Sequence, residues 1–275
     1  MNEEIINALS REVAKRRVMT ALRVNLLRLA FVITVLAFWE LASGRIIDPA
    51  FLSRPSLIFM RLVELFSGGS IWVHFRVTIL ELLVGYAIGA GAGLIIGFLL
   101  GRSKILSDIF EPFIMAFYSI PKVALAPLFI FWLGIGIWSK VAMVALMVFF
   151  LVFFNTYSGV KNIDEELVNI ARVMGAKRGQ VTRRVVLPAS SPFIIMGFKT
   201  AVPFAVIGAV IGEFIASNKG LGFYILYSAN TFDAAGLFSG ILILLAMVFC
   251  VNQALTALQQ RVLRWMPTAE AQIVS

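Results

Sequence analysis

From Leu26 onward the sequence returns repeatedly to apolar runs long enough to cross a bilayer as helix, and this recurrence leaves few folds open. In lipid the backbone must satisfy its own polar groups, so each such run becomes a helix. Six spans are expected, at about 26–42, 78–100, 112–133, 140–157, 192–216 and 237–258. The expected fold class is an all-α integral membrane protein with six transmembrane helices. Before the spans, residues 1–25 read as an amphipathic elbow segment, with Ile5, Ile6, Leu9 and Val13 on one face. The spans occupy 26–260, and 261–275 form a tail.

The composition, 60% apolar and 14% charged, lies outside the range of soluble domains. The formal net charge of +9 does not point to nucleic acid, because the basic residues flank the apolar runs and orient them. With the N-terminus inside, 17 Lys and Arg residues fall on the cytoplasmic side and 6 on the other. Both termini are therefore expected in the cytoplasm. Cys250 is the only cysteine and His74 the only histidine, which leaves no intrachain disulfide and no Cys/His metal site. The charged N-terminus has no short apolar core with a cleavage site, so the first span is expected to act as its own signal anchor.

Two spans carry packing signals. The second contains Gly85, Gly89, Gly91, Gly93 and Gly97, whose spacing leaves small-residue faces for close approach of another helix. The third contains Pro121 and Pro127, which remove backbone donors and kink a helix, so that span is expected to face protein. Between the first two spans, a short amphipathic helix is expected on the outer interface within 48–76.

One stretch, 161–188, is polar where its surroundings are not. Asn162 or Asp164 can cap a helix whose first turn holds Glu165 and Glu166. Leu167, Ile170, Ala171 and Met174 then make one stripe, and Gly175 follows where a helix can end left-handed. A second helix is expected from Lys177 to Leu187, closed by Pro188. Two readings fit this pattern. It can dock in a groove of an aqueous partner, or rest as an amphipathic loop on anionic lipid.

The stretch resembles the cytoplasmic EAA signature of ABC importer permeases, which runs Glu-Ala-Ala, three residues, Gly, nine residues, then Ile-x-Leu-Pro. The matching residues are Asn169, Ile170 and Ala171, then Gly175, then Val185, Leu187 and Pro188. The Gly-to-Leu-Pro spacing matches in full, whereas Asn169 and Ile170 replace the Glu and first Ala. Residues 120–136 (IPKVALAPLFIFWLGIG) and 212–223 (GEFIASNKGLGF) resemble the nitrate/sulfonate/taurine type of these permeases. The resemblance covers about 38–263.

It implies a type I importer permease of a bacterial inner membrane, paired with a second copy of itself. A cytosolic ABC ATPase dimer would dock below, at Asp164, Glu165, Asn169, Ile170, Ala171, Met174, Gly175, Ala176, Leu187 and Pro188, and a periplasmic binding protein would deliver the solute from above. Sulfonate, taurine, nitrate, an aromatic acid or a pyrimidine are the solutes it suggests. The chain has no G-x-x-x-x-G-K-[ST] loop, so ATP and Mg would be handled by the ATPase and no cofactor by this subunit.

Polar residues within the spans are candidates for the path or its gate: Tyr118, Pro121, Lys122, Asn155 and Glu213. Lys122 suits an anion path, but a place near the cytoplasmic boundary would let it snorkel out, as would that of Lys199. Glu213 reads as structural or gating ahead of substrate contact. A secondary transporter or channel is the alternative function; it calls for intramembrane carboxylate or relay chains, and none is apparent in these spans. An integral membrane enzyme would likewise find few residues for its chemistry.

Overall fold

The computed structural model describes residues 2–262, with side chains for 19–257 apart from residue 21. Its described residues form helices α1 (Asn2–Ala42), α2 (Pro55–Ser67), α3 (Ile71–Arg102), α4 (Lys104–Ser119), α5 (Ala126–Leu133), α6 (Ile137–Lys161), α7 (Glu165–Val173), α8 (Arg178–Val181), α9 (Leu187–Ala216), α10 (Leu221–Asn230) and α11 (Ala234–Val262). All but the first two residues of the expected tail lie outside the described residues.

Five of the expected spans are long apolar helices, and the sixth is a bent pair. Residues 2–25 continue into the first span as one uninterrupted helix. Its apolar part is left uncovered by the rest of the chain up to Phe38, after which Trp39 rests on Phe238, Glu40 accepts from Ser56 and Ala42 is buried. Helix α2 is the expected outer helix, with Ile58 and Leu65 turned inward and Leu57, Phe59, Met60 and Val63 outward.

The core is a three-helix layer in which α6 lies between α3 and α9. Glycine explains how α3 comes so close: a Cβ at Gly89 would lie 2.3 Å from the Ala145 carbonyl oxygen, and one at Gly93 2.6 Å from that of Phe149. Any side chain there would force the helices apart. Gly91 faces open space and is not part of this seam. Val144, Val148 and Val152 of α6 fill the centre with Ala201, Ala205 and Ala209 of α9.

Two expectations need correction, both at prolines. The third span is not a kinked rod: α4 and the segment 122–133 meet at 86°. Ile120 (ψ 131°) and Pro121 (ψ 107°) are both extended, since a residue before proline is pushed out of the helical region. A 3₁₀ turn, Lys122–Leu125, then leads into α5.

Pro188, conversely, closes nothing. The chain stays helical from Arg178 to Ala216 through a π turn at Thr182–Val186. The Leu187 N–H donates to the Thr182 carbonyl, and the widened turn makes room for Pro188, which has no N–H to offer.

Candidate coupling surface and translocation wall

At the inner end, Asp164 caps α7 by accepting the Glu166 N–H at 2.8 Å. Glu165 and Glu166 occupy its first turn, where the helix dipole favours them. The helix ends in a Schellman motif: Gly175 N donates to Arg172 O at 2.9 Å and Ala176 N to Ala171 O at 3.0 Å, with Gly175 at φ +83°.

The expected apolar stripe is divided between two faces. Val168, Ala171 and Ala176 pack inward on Val160, Val181 and Val186. Leu167, Ile170, Val173 and Met174 face outward, with Val173 89% and Met174 82% exposed. Val173, absent from the expected stripe, therefore belongs to the exposed tip. Asn169 and Glu165 line neither face. They border a polar cleft of about 590 Å³ between α7 and the inner ends of α3, α4 and α6, beside Arg102, Lys104, Lys161 and Arg172. Leu187 and Pro188 lie at the start of α9, away from the tip.

Next to that cleft, Tyr157 Oη donates to Glu111 Oε2 at 2.7 Å and accepts from Lys161 Nζ at 2.5 Å. Lys161 reaches Glu111 at 3.2 Å, and Ser107 hydrogen-bonds to Tyr157. This network ties α4 to the inner end of α6. Sequence reasoning missed it, although Ser107 and Glu111, four residues apart, share a helix face.

Beside the middle of α6 the helix pair α4 and α5 is broken at 120–125. Lys122 Nζ donates to the Tyr118 carbonyl at 2.6 Å, lies 3.8 Å from the Tyr118 ring centre and 5.1 Å from that of Phe150. Phe150 is 13 residues from the start of α6 and 11 from its end. Lys122 thus packs against the middle of α6. Asn155 donates to its own helix, at Leu151 O, and packs against Gly197 of α9. Lys199, two residues beyond Gly197, is half-buried.

At the outer end, Glu213 does not line an open path, being fully buried. It accepts from Thr78 Oγ1 at 2.6 Å and from the Gly222 N–H at 2.5 Å, while the Leu221 N–H donates to Thr78 Oγ1 at 2.8 Å. Glu213 and Thr78 therefore cap α10, a short helix outside the six expected spans. Gly220 is required here, since a Cβ on it would fall 2.3 Å from the Glu213 carboxyl group. His74 Nδ1 meets the Gly220 backbone, 3.0 Å from its carbonyl oxygen.

Beside this cap, buried Lys140 pairs with buried Glu81 at 3.4 Å. The spans thus do bring two carboxylates together, at Glu81 and Glu213, contrary to the sequence expectation.

Outside the spans, Arg61 of α2 binds Glu64 at 2.8 Å and Asp233 at 2.9 Å. The hydrogen bond to Glu64 holds its pKa above the usual arginine value. Burial raises that of the nearby Tyr224 phenol.

Residues 89–264 match the family model described as binding-protein-dependent transport system inner membrane component. The formylaminopyrimidine transport permease protein of Halalkalibacterium halodurans is 32% identical over 86% of this chain and 94% of its own. The putative aliphatic sulfonates transport permease protein of Bacillus subtilis is 31% identical over 84% of each chain. The taurine transport system permease protein of Escherichia coli is 28% identical over 86% of this chain and 87% of its own. In structure, the chain is similar to the methionine ABC transporter MetNI in an inward-facing conformation, with a TM-score of 0.60 over 70% of this chain and 98% of that one, at 18% identity. The fold is that of type I ABC importer permeases, and the chain belongs to the binding-protein-dependent transport system inner membrane component family of ABC transporter permeases.

Proposed function

We propose that two copies of this chain form the translocation path of an ABC importer, through which a small anionic solute from a periplasmic binding protein enters the cell. A separate cytosolic ATPase dimer, holding the ATP and Mg, would power it, with both termini of this chain on the cytoplasmic side. The observation that carries this reading is the tip of α7. Its Leu167, Ile170, Val173 and Met174 form an apolar knob beside the Schellman turn, with no membrane span close enough to bury it.

The tip connects directly to the membrane. From Arg178 to Ala216 the chain is one helical rod of 39 residues, or ~58 Å at 1.5 Å per residue. Its far end carries Glu213, which holds α10 and Thr78 of α3. A shift imposed on the tip by ATPase closure is therefore passed to the outer end. Nucleotide drives such a switch only by favouring one arrangement over the other, and delivered solute must favour the opposite step.

A second copy is supported by what one copy leaves uncovered. Irregular backbone at 120–125 cannot face lipid, and this chain leaves Tyr118, Ile120 and Val123 exposed beside it. The relatives' printed solutes include aliphatic sulfonates and taurine but also a formylaminopyrimidine, so the anionic assignment rests on Lys122.

Reconstitution tests the reading. The pure chain should hydrolyse no ATP, and hydrolysis coupled to uptake should appear when its partner ATPase and binding protein are added. A cysteine at Ala176 should crosslink to the ATPase. ATP turnover by the pure chain, or failure of the ATPase to associate, would overturn the proposal.

A further inference from the structure

We propose that Lys122 is the anion-selecting residue of the path, its ammonium receiving the oxyanion head of the solute beside the middle of α6; this rests on the permease reading above.

Of the lysines in and against the helical layer, two are paired with carboxylates, while Lys122 and half-buried Lys199 have no ion pair among the described residues, and of these only Lys122 sits at the helix break. Lys140 is paired with Glu81, and Lys161 with Glu111. Lys122 has no carboxylate within ion-pair distance among the described residues. Its partners are the Tyr118 carbonyl and the faces of Tyr118 and Phe150. A carbonyl and two ring faces hold an ammonium in place by hydrogen bonding and cation–π attraction, yet leave its full charge available.

The backbone around it points the same way. Ile120 and Pro121 are extended and Lys122–Leu125 is a 3₁₀ turn, so helical hydrogen bonding is interrupted within the expected third span. Irregular backbone cannot face lipid there; it must be covered by protein or line a water-filled space. Within this chain it is not covered, since Tyr118, Ile120 and Val123 are exposed. A charged lysine at the same place excludes a lipid-facing wall for a second, independent reason. The break and the lysine together exclude lipid on this side of the layer and turn it toward the second copy and the path between the copies.

Tyr118 also rests against Phe154, with ring centres 4.9 Å apart. The surface beside the ammonium is therefore apolar and accommodates the non-ionic part of a solute. The chemistry fitted is a compact organic anion, a carboxylate or sulfonate with an apolar body.

The test needs no knowledge of the natural solute. In a Cys250→Ser background, a cysteine replaces Val123, adjacent to Lys122 and 51% exposed. The complete transporter, resting and trapped with ATP and vanadate, is treated with 2-sulfonatoethyl methanethiosulfonate or its trimethylammonium counterpart. Each rate is divided by that of the same reagent with a free thiol. A unit charge about 6 Å away through water should favour the anionic reagent over the cationic one by about tenfold.

Lys122→Met should reduce the preference to about one, and Lys122→Arg should preserve it, because guanidinium keeps the charge. Lack of reaction with either reagent in both states, or a preference unchanged in Lys122→Met, would overturn the proposal. So would loss of the preference in the arginine variant. Crosslinking at Ala176 reports separately on the permease reading, so failure of one is not mistaken for failure of the other.

Discussion

Lys140 Nζ lies 3.4 Å from Glu81 Oε1, and both side chains are buried between α3 and α6. Neither Glu81 oxygen has a hydrogen-bond donor in good geometry, so the lysine is the main compensation for a fully buried carboxylate. Removing one partner of such a pair strands the other, whereas replacing both with apolar side chains removes the desolvation cost altogether. Lys140→Met alone should destabilise the detergent-solubilised protein by about 3–5 kcal/mol. Glu81→Leu combined with Lys140→Met should recover most of that loss. Thermal unfolding followed by size-exclusion chromatography decides the matter; a double variant as unstable as Lys140→Met would show that the pair is not the source of the loss.

This pair shows where the sequence stopped being informative. Span positions follow from runs of apolar residues, and α3, α6, α9 and α11 fall where those runs predict. The glycine seam was legible because contact with α6 repeats every four residues on α3. Glu81 and Lys140, by contrast, lie 59 positions apart on different helices, and no periodicity links them. Lys140 read as a charge marking the end of a span. Only the packing of α3 on α6 brings it to Glu81.

The prolines misled in a different way. Pro121 signalled an interruption, but whether a chain kinks or turns by 86° depends on whether tertiary contacts accept two extended residues in succession. Pro188 looked like a stop, and the π turn that absorbs it has no sequence signature. At the coupling site, by contrast, the Asp164 cap and the Gly175 terminus were both readable, because capping is local chemistry.

Glu213 should behave as a cap rather than as a solute ligand. Its carboxylate accepts from Thr78 and from Gly222, and both donors are buried. Glu213→Ala would leave the Gly222 N–H unpaired at a cost of about 1–3 kcal/mol, while the Thr78 hydroxyl still reaches the His74 carbonyl at 3.2 Å, and Glu213→Gln keeps a carbonyl acceptor for Gly222. The alanine variant should show faster hydrogen exchange at Leu221 and Gly222, with the glutamine variant in between. Unchanged exchange together with a raised KM for solute would instead make Glu213 a ligand.

The charge asymmetry predicts an orientation that labelling can check. Single cysteines at Lys177 and Ser217, in a Cys250→Ser background, lie at opposite ends of the rod that contains α9. An impermeant thiol reagent applied to intact cells should label only the Ser217 site, and both sites after permeabilisation. Equal labelling in intact cells would reverse or void the expected topology.

Gly175 gives the most direct test of the coupling tip, because its constraint is conformational and not steric. Its φ is +83°, yet a Cβ built there meets nothing within 4 Å. A substitution therefore pays for backbone conformation alone. For a β-branched residue the left-handed region costs about 1–2 kcal/mol, whereas asparagine enters it more readily. Gly175→Val should open the Schellman turn, release Ala176 from Ala171 and move the tip. Copurification of the ATPase and solute uptake should both fall severalfold, while the amount in the membrane stays normal because insertion depends on the spans. Gly175→Asn should retain most of both activities. If valine and asparagine proved equally harmless, the turn would not set the position of the docking surface; if they proved equally harmful, the side chain itself, and not its backbone angle, would be what the partner rejects.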